Sequence, residues 1–202
     1  MITDDKLTEK RRAFDARGEQ LLAQGYDKEA AAAFVACCAG GLTGHALDIG
    51  TGRGIFAIAL ARAGMTVTTV DPDEQDSDLA AMLVTEAGVA DRVHFMRGDA
   101  AGLPLQSASF DCVAMMDVLH HIADPAPVFD EMIRLVRPGG ILLIADFDED
   151  GFDMLSRIHH AAGGDHTRTE ATVETARATL AARGLACLKQ VHAHKHHVIV
   201  MS

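Results

Sequence analysis

The segment Ala46-Leu47-Asp48-Ile49-Gly50-Thr51-Gly52-Arg53-Gly54, continued by Ile55-Phe56-Ala57-Ile58-Ala59-Leu60-Ala61, decides the fold. A short apolar run carrying one acid enters glycines at alternate positions, and an unbroken apolar stretch follows. That order spells strand, tight loop and helix. Glycines are needed because the chain must turn sharply out of a buried strand, and because a ligand can lie against bare backbone only where no Cβ intervenes. The helix then opens with unpaired N–H groups directed at that ligand.

Downstream, Thr66-Val67-Thr68-Thr69-Val70-Asp71 is a β-branched run closing on an acid about twenty residues beyond the glycines. In a doubly wound sheet the carboxyl end of the neighbouring strand lies beside the glycine loop, and a carboxylate there can accept both ribose hydroxyl protons. The plainer alternative is a solvated acid at a strand end. Asp73-Glu74-Gln75-Asp76-Ser77-Asp78 opens the next helix, its acidity matched to the helix dipole. The run from Arg92 to Asp99 is a third strand, and Ser109-Phe110-Asp111-Cys112-Val113-Ala114-Met115-Met116-Asp117 is a fourth, leading into Val118-Leu119-His120-His121-Ile122. Asp124-Pro125-Ala126-Pro127 starts a helix, with proline where a first turn tolerates it. Leu135-Val136-Arg137-Pro138-Gly139-Gly140 ends that helix ahead of a fifth strand from Ile141 to Phe147.

A helix from Thr167 to Arg183 with its stop at Gly184 precedes strands at 186–194 and 196–201. These two are joined too tightly to be parallel, since a parallel crossover takes a dozen or more residues. Upstream of the first strand, residues 4–25 and 26–39 read as two helices, the second stopped by Gly40-Gly41. They serve as cover for the sheet edge, as a lid over a ligand, or as both, because a lid also needs an apolar underside.

The spacing D-x-G-x-G-x-G at Asp48, Gly50, Gly52 and Gly54 resembles the first motif of class I S-adenosylmethionine-dependent methyltransferases, and Ser109 to Ile122 resembles the fourth-strand motif of the small-molecule type. The resemblance implies an α/β fold, a doubly wound, seven-stranded, mainly parallel sheet with one antiparallel strand and an N-terminal helical cap. It implies one methyltransferase domain over residues 1–202, with the cap at 1–44 and the cofactor-binding core at 45–202. It further implies a cofactor, S-adenosyl-L-methionine, with Asp48, Gly50, Thr51, Gly52 and Gly54 at its amino-acid end, Asp71 and Pro72 at the ribose, and Asp99 and Ala100 at the adenine. Met116 and Asp117 would line the same site, and His120 and His121 would stand near the point of transfer. The expected function is methyl transfer to a small-molecule acceptor. Two other readings stay open: a nicotinamide-dependent oxidoreductase, which would need the longer G-x-G-x-x-G spacing, and a cofactor-binding module that acts through a partner protein.

Composition narrows the partners. A chain of 202 residues, 49% hydrophobic, suits one well-buried α/β core. Its formal net charge of -11, with no lysine or arginine run, disfavours a nucleic-acid substrate. The first residues carry neither a basic n-region nor an apolar stretch, and no run approaches the ~20 apolar residues needed to span a bilayer, so no membrane partner and a cytoplasmic location are expected. Cys37, Cys38, Cys112 and Cys187 show no C-x-x-C spacing. The N-terminal helices could pair with a second copy.

Imidazole titrates in the range where a hydroxyl or nitrogen acceptor must lose its proton, and the chain holds 11 histidines. His120 and His121 are the best placed, as catalytic groups or as structural ones, followed by His159, His160 and His166. His192, His194, His196 and His197 read as a solvated hairpin connection. A metal site from His159, His160 and His166 with Asp146, Asp148 or Asp165 lacks H-x-x-x-H or H-E-x-x-H spacing, so no metal is expected.

Overall fold

A computed structural model describes residues 4–41, 43–73, 75–161 and 168–202. The strands are β1 (Gly44–Ile49), β2 (Met65–Asp71), β3 (Val93–Arg97), β4 (Phe110–Met116), β5 (Val136–Phe147), β6 (Cys187–Ala193) and β7 (His196–Met201), in spatial order β3-β2-β1-β4-β5-β7-β6. All neighbours from β3 through β5 run parallel, and β7 alone is antiparallel to both β5 and β6. This is the expected seven-stranded sheet with one reversed strand. Strand order changes direction between β1 and β4, and the crevice beyond their carboxyl ends is where such a sheet receives a ligand.

The sheet is apolar on both faces, as crossover helices demand. In β4, Cys112 and Ala114 pack with Phe56 and Leu60 of α3 (Ile55–Arg62), while Val113 and Met115 pack with Phe129 and Met132 of α5 (Ala126–Leu135). The first face also takes α4 (Ser77–Glu86) and the expected pair of N-terminal helices, α1 (Asp4–Ala23) and α2 (Lys28–Cys37), whose Asp27 cap accepts the N–H groups of Glu29 and Ala30. The second face takes α7 (Val173–Ala182) through Ala176 and Leu180.

Several boundaries differ from the sequence reading. The fifth strand begins at Val136, not Ile141, because Val136 already pairs with Phe110 and a register shift before Cys112 absorbs the intervening residues. Arg137 pairs with Asp111 there, and a Cβ on Gly140 would meet the Asp111 carbonyl oxygen at 2.8 Å. The acidic run at 73–78 is mostly a turn ahead of α4: Asp71 and Asp73 accept the N–H groups of Asp73 and Gln75, and helix starts only at Ser77. Glu74 lies outside the described residues. Of the helix expected from Thr167, the described part begins at Val173, where Thr172 and Thr175 form a reciprocal cap. Residues 162–167, with Asp165 and His166, lie outside the described residues.

A further helix, α6 (Glu149–Ala161), was not expected; Met154, Leu155 and Ile158 bury one side of it. Among the described residues no helix is long and apolar enough to cross a membrane.

Candidate active site

The glycine loop leaves β1 through three left-handed residues, Gly50 (φ 90), Gly52 (φ 46) and Gly54 (φ 77). Each does something different. A Cβ on Gly50 would meet Cγ2 of Val118 at 2.2 Å, so the loop passes under the segment leaving β4. Gly52 has nothing within 4 Å of its Cβ direction and, with Gly50 and Thr51, lines a cavity of about 700 Å³ at the carboxyl ends of β1 and β4. Gly54 starts α3 and packs against Ala80 and Val84 of α4; it is absent from the cavity wall. A Cβ there would make only ordinary contacts, so it is the left-handed backbone at the helix start, rather than space, that calls for glycine.

Asp48 also lies off the wall: it is 1% exposed and sits beneath the loop. The Thr69 hydroxyl donates to its Oδ2 at 2.8 Å, Thr51 Oγ1 stands 2.8 Å from Thr69 Oγ1, and Oδ1 has no hydrogen-bond partner among the described residues. Burial pushes the Asp48 carboxyl up to about 7, with Asp71 adding to the rise and Thr69 opposing it. Because the folded pKa lies above the unfolded value of 3.8, the folded state binds the extra proton. Its stabilising effect is complete below about pH 4 and is lost as pH rises toward 7. The melting temperature should therefore fall by several degrees between pH 4.5 and 7, and Asp48→Asn, which keeps a carbonyl for Thr69, should flatten that slope in a calorimetric scan. An unchanged slope in the variant would exclude this source.

Asp71 ends β2 on the cavity wall, where Gly52 donates its N–H to Oδ2 at 3.1 Å and Asp73 donates to Oδ1 at 3.0 Å. Each oxygen retains acceptor capacity for a diol. Pro72, Gly98, Asp99 and Ala100 continue the wall. Asp99 lies two residues beyond the end of β3, its Oδ1 accepting the Ala101 N–H at 2.9 Å. The loop after it is pinned from α5: buried Glu131 accepts the Leu103 N–H at 2.8 Å, and Arg134, paired with Glu131, donates to the carbonyls of Leu103 and Leu105. Arg134 and the Leu103 N–H hold the Glu131 carboxyl below the usual carboxylate range against the effect of burial.

Met116 and Asp117 line the cavity at the end of β4. Asp117 has φ 60, unusual for a residue with a side chain, and its Oδ1 lies 2.7 Å from Nε2 of His196. His196 was expected to be solvated, yet it is 0% exposed. Its Nδ1 lies 2.8 Å from the His194 carbonyl oxygen, so both ring nitrogens face acceptors and both must donate, which makes the ring an imidazolium. Burial opposes that charge, but Asp117 and the His194 carbonyl outweigh it and raise the pKa. Hydrophobic pattern alone could not disclose this pairing, because the partner lies 79 positions away.

A second buried pair faces the same cavity. His120 Nδ1 lies 2.7 Å from Asp146 Oδ1, and the His120 N–H donates to Oδ2 at 2.9 Å, with both side chains 3% exposed. The carboxylate only accepts, so Nδ1 carries a proton and donates it to Asp146. His121 stacks obliquely on it, ring centroids 4.0 Å apart; burial and His120 push its pKa down. Both histidines line the cavity, while His159 and His160 do not. Asp146 was weighed only as a metal ligand, although an acid at the end of a fifth strand carries the same signal as Asp71. No group of three or more His, Cys, Asp or Glu with metal-binding geometry occurs among the described residues.

Residues 47–144 match the family model described as a methyltransferase domain. Nearly half of the chain is thus similar to that family. Within this stretch lie the glycine loop, Asp71, Asp99, Asp117 and His120. Ubiquinone biosynthesis O-methyltransferase of Paracidovorax citrulli is 42% identical over 95 residues, covering 46% of this chain and 40% of that protein. The 27-O-demethylrifamycin SV methyltransferase of Amycolatopsis mediterranei is 41% identical over 102 residues, covering 50% of this chain and 38% of that protein. The chain thus spans about two fifths of the curated relatives it matches. A SAM-dependent methyltransferase from Aquifex aeolicus superposes with a TM-score of 0.62 at 20% identity over 80% of this chain and 81% of that one. A glycopeptide N-methyltransferase does so at 0.71, with 15% identity over 87% of this chain and 94% of that one. The chain shares their fold.

Proposed function

We propose that this chain is an S-adenosylmethionine-dependent methyltransferase acting on a hydroxyl of a small molecule, as a single domain in which residues 1–44 cap a core at 45–202. The observation that carries the reading is the joint placement, around one cavity, of Asp71 locked to the Gly52 N–H and of His120 held by Asp146. The residues present suit the cofactor. Gly52 leaves room for a ligand against the backbone, Asp71 offers two fixed acceptors to a ribose diol, and Asp99 offers an acceptor for an exocyclic amine.

When bound, the cofactor supplies a methyl group already activated by its attachment to a sulfonium. The chain's own work is positioning and proton removal. The cap helices contribute Phe14, Leu21, Tyr26 and Ala32 to the cavity, an apolar roof that keeps water from the transfer. His120, oriented by Asp146 at the cavity wall, would receive the proton that the acceptor hydroxyl gives up. Asp146 fixes the tautomer and offsets the charge gained by the ring. Holding the reactants in line is worth ~7–11 kcal/mol of the barrier in well-oriented systems.

The rest of the reading follows composition. A net charge of -11 favours a small molecule over nucleic acid, and four free cysteines suit a reducing cytoplasm. Light scattering of the purified chain decides between a monomer and a pair joined through α1 and α2. The test of function is titration calorimetry with S-adenosylhomocysteine and with NAD. Micromolar binding of the first and none of the second is expected; the reverse would return the oxidoreductase reading.

A further inference from the structure

The cavity wall carries both signs of charge, with Asp71, Asp76, Asp99 and Asp117 on the glycine-loop and strand-end side, but two of its cations, on the cap, stand away from those carboxylates. Arg17 of α1, Lys28 of α2 and Arg53 of the glycine loop all line it, in a chain whose net charge is -11. Arg53 is paired with Asp76 at 3.3 Å. Arg17 and Lys28 have no carboxylate within ion-pair distance among the described residues. Lys28 Nζ instead sits 3.1 Å from the centroid of the Phe14 ring, which also lines the cavity.

Both cations are held against electrostatic resistance. Burial, with Arg53 adding to it, pushes the Lys28 ammonium down to about 8, although Glu29 and Asp15 pull the other way from beyond contact. Burial and Arg53 lower Arg17 as well. Half-burying like charges without a counter-ion is costly, and an anion arriving from outside removes that cost. The cofactor cannot balance the set by itself. Its amino-acid end brings one carboxylate and also one ammonium, so it adds no net negative charge to the two unpaired cations.

We propose that Arg17 and Lys28 form an anion subsite for the acceptor, so that the methylated molecule is a hydroxy acid whose carboxylate is gripped by the cap while its hydroxyl reaches His120. This rests on the methyl-transfer reading and names its substrate class. The walls between the two ends, Phe14, Leu21, Phe147 and Leu155, are apolar and suit a short hydrocarbon or aromatic body. The subsite also accounts for why the cations come from α1 and α2: the cap closes productively only when a charged acceptor bridges it to the sheet.

The test pairs salicylate, 3-hydroxybenzoate and mandelate each with its methyl ester, using the full chain. Binding to the protein saturated with S-adenosylhomocysteine is measured by calorimetry, and transfer is measured with labelled cofactor. Acids are expected to bind and to be methylated at least 30-fold more efficiently than their esters. Arg17→Met and Lys28→Met should each raise the acid's KM tenfold or more, with S-adenosylhomocysteine affinity within twofold and melting temperature unchanged; Lys28→Arg should restore most of the loss. Equal use of acid and ester, or no binding of any acid, overturns the subsite. So does a loss of S-adenosylhomocysteine affinity in both variants without a change in the acid's KM, which would assign the cations to the cofactor's carboxylate. If the unsubstituted chain fails to bind S-adenosylhomocysteine at all, the methyl-transfer reading itself fails, and the two failures are told apart by that first titration.

Discussion

Asp71→Ala should weaken S-adenosylhomocysteine binding by roughly 30- to 1,000-fold, about 2–4 kcal/mol. Two losses combine. A ribose diol bound against β2 would face no charged acceptor, and the Gly52 N–H, which donates to Asp71 Oδ2, would lose the contact that holds the loop to the neighbouring strand. Asp71→Asn separates them, since its amide oxygen can still receive the Gly52 N–H while one of the two ribose acceptors becomes a donor. We expect it to fall between the parent and the alanine variant. Titration calorimetry reads the effect directly and needs no acceptor. A change under threefold for Asp71→Ala would mean that the nucleoside lies elsewhere, and the glycine loop would lose its assigned role.

The largest effect on rate is expected at the buried His120–Asp146 pair. His120→Gln should lower kcat by about 10²- to 10⁴-fold, the range general-base catalysis supplies, while S-adenosylhomocysteine affinity changes little. Asp146→Asn should act through the ring. Its amide keeps one oxygen and gains an NH2 where the carboxylate accepts three donors, so at least one of them loses its acceptor and the ring is held less firmly. Since Asp146 also accepts the N–H groups of His120 and Phe147, the asparagine variant must be checked for folding, and the glutamine variant is the safer measure. The acidity of the acceptor distinguishes a base from a strut: the rate loss in His120→Gln should shrink as the acceptor hydroxyl becomes more acidic. A loss of the same size for every acceptor would make His120 a structural residue.

Much of the architecture can be read from local pattern because the sheet is buried on both faces. Apolar runs such as Cys112 to Met116 announce strands wherever they fall, and the alternate glycines of the first loop have few uses besides a strand-to-helix turn against a ligand. What escapes is whatever depends on a distant partner. Asp48 and Asp71 look alike in sequence, an acid near the end of an apolar strand, yet one lies under the loop and the other on the wall. The difference is one of register: Asp48 lies opposite Thr69 within the sheet, whereas Asp71 lies two residues further along β2, level with the loop, and no local pattern encodes that pairing. His196 sits among solvated histidines in the chain, and only the insertion of β7 beside β5 buries it against Asp117. Helix α6 hides for another reason: its apolar side is narrow and its first turn is acidic, so composition reads as loop.

The placement of β7 between β5 and β6 bears on how the molecule assembles in the cell. Residues 196–201 are synthesised after every other described element, yet they wedge into the sheet's interior and deliver the imidazolium that clamps Asp117 at the mouth of β4. A nascent polypeptide can form the earlier strand–helix units as they emerge, but it stays incompetent for its ligand until this last insertion, a long-range step of the slow kind. Translation that stalls shortly before His196 would therefore release a species with an open seam beside β5, exposed to aggregation and to chaperone capture.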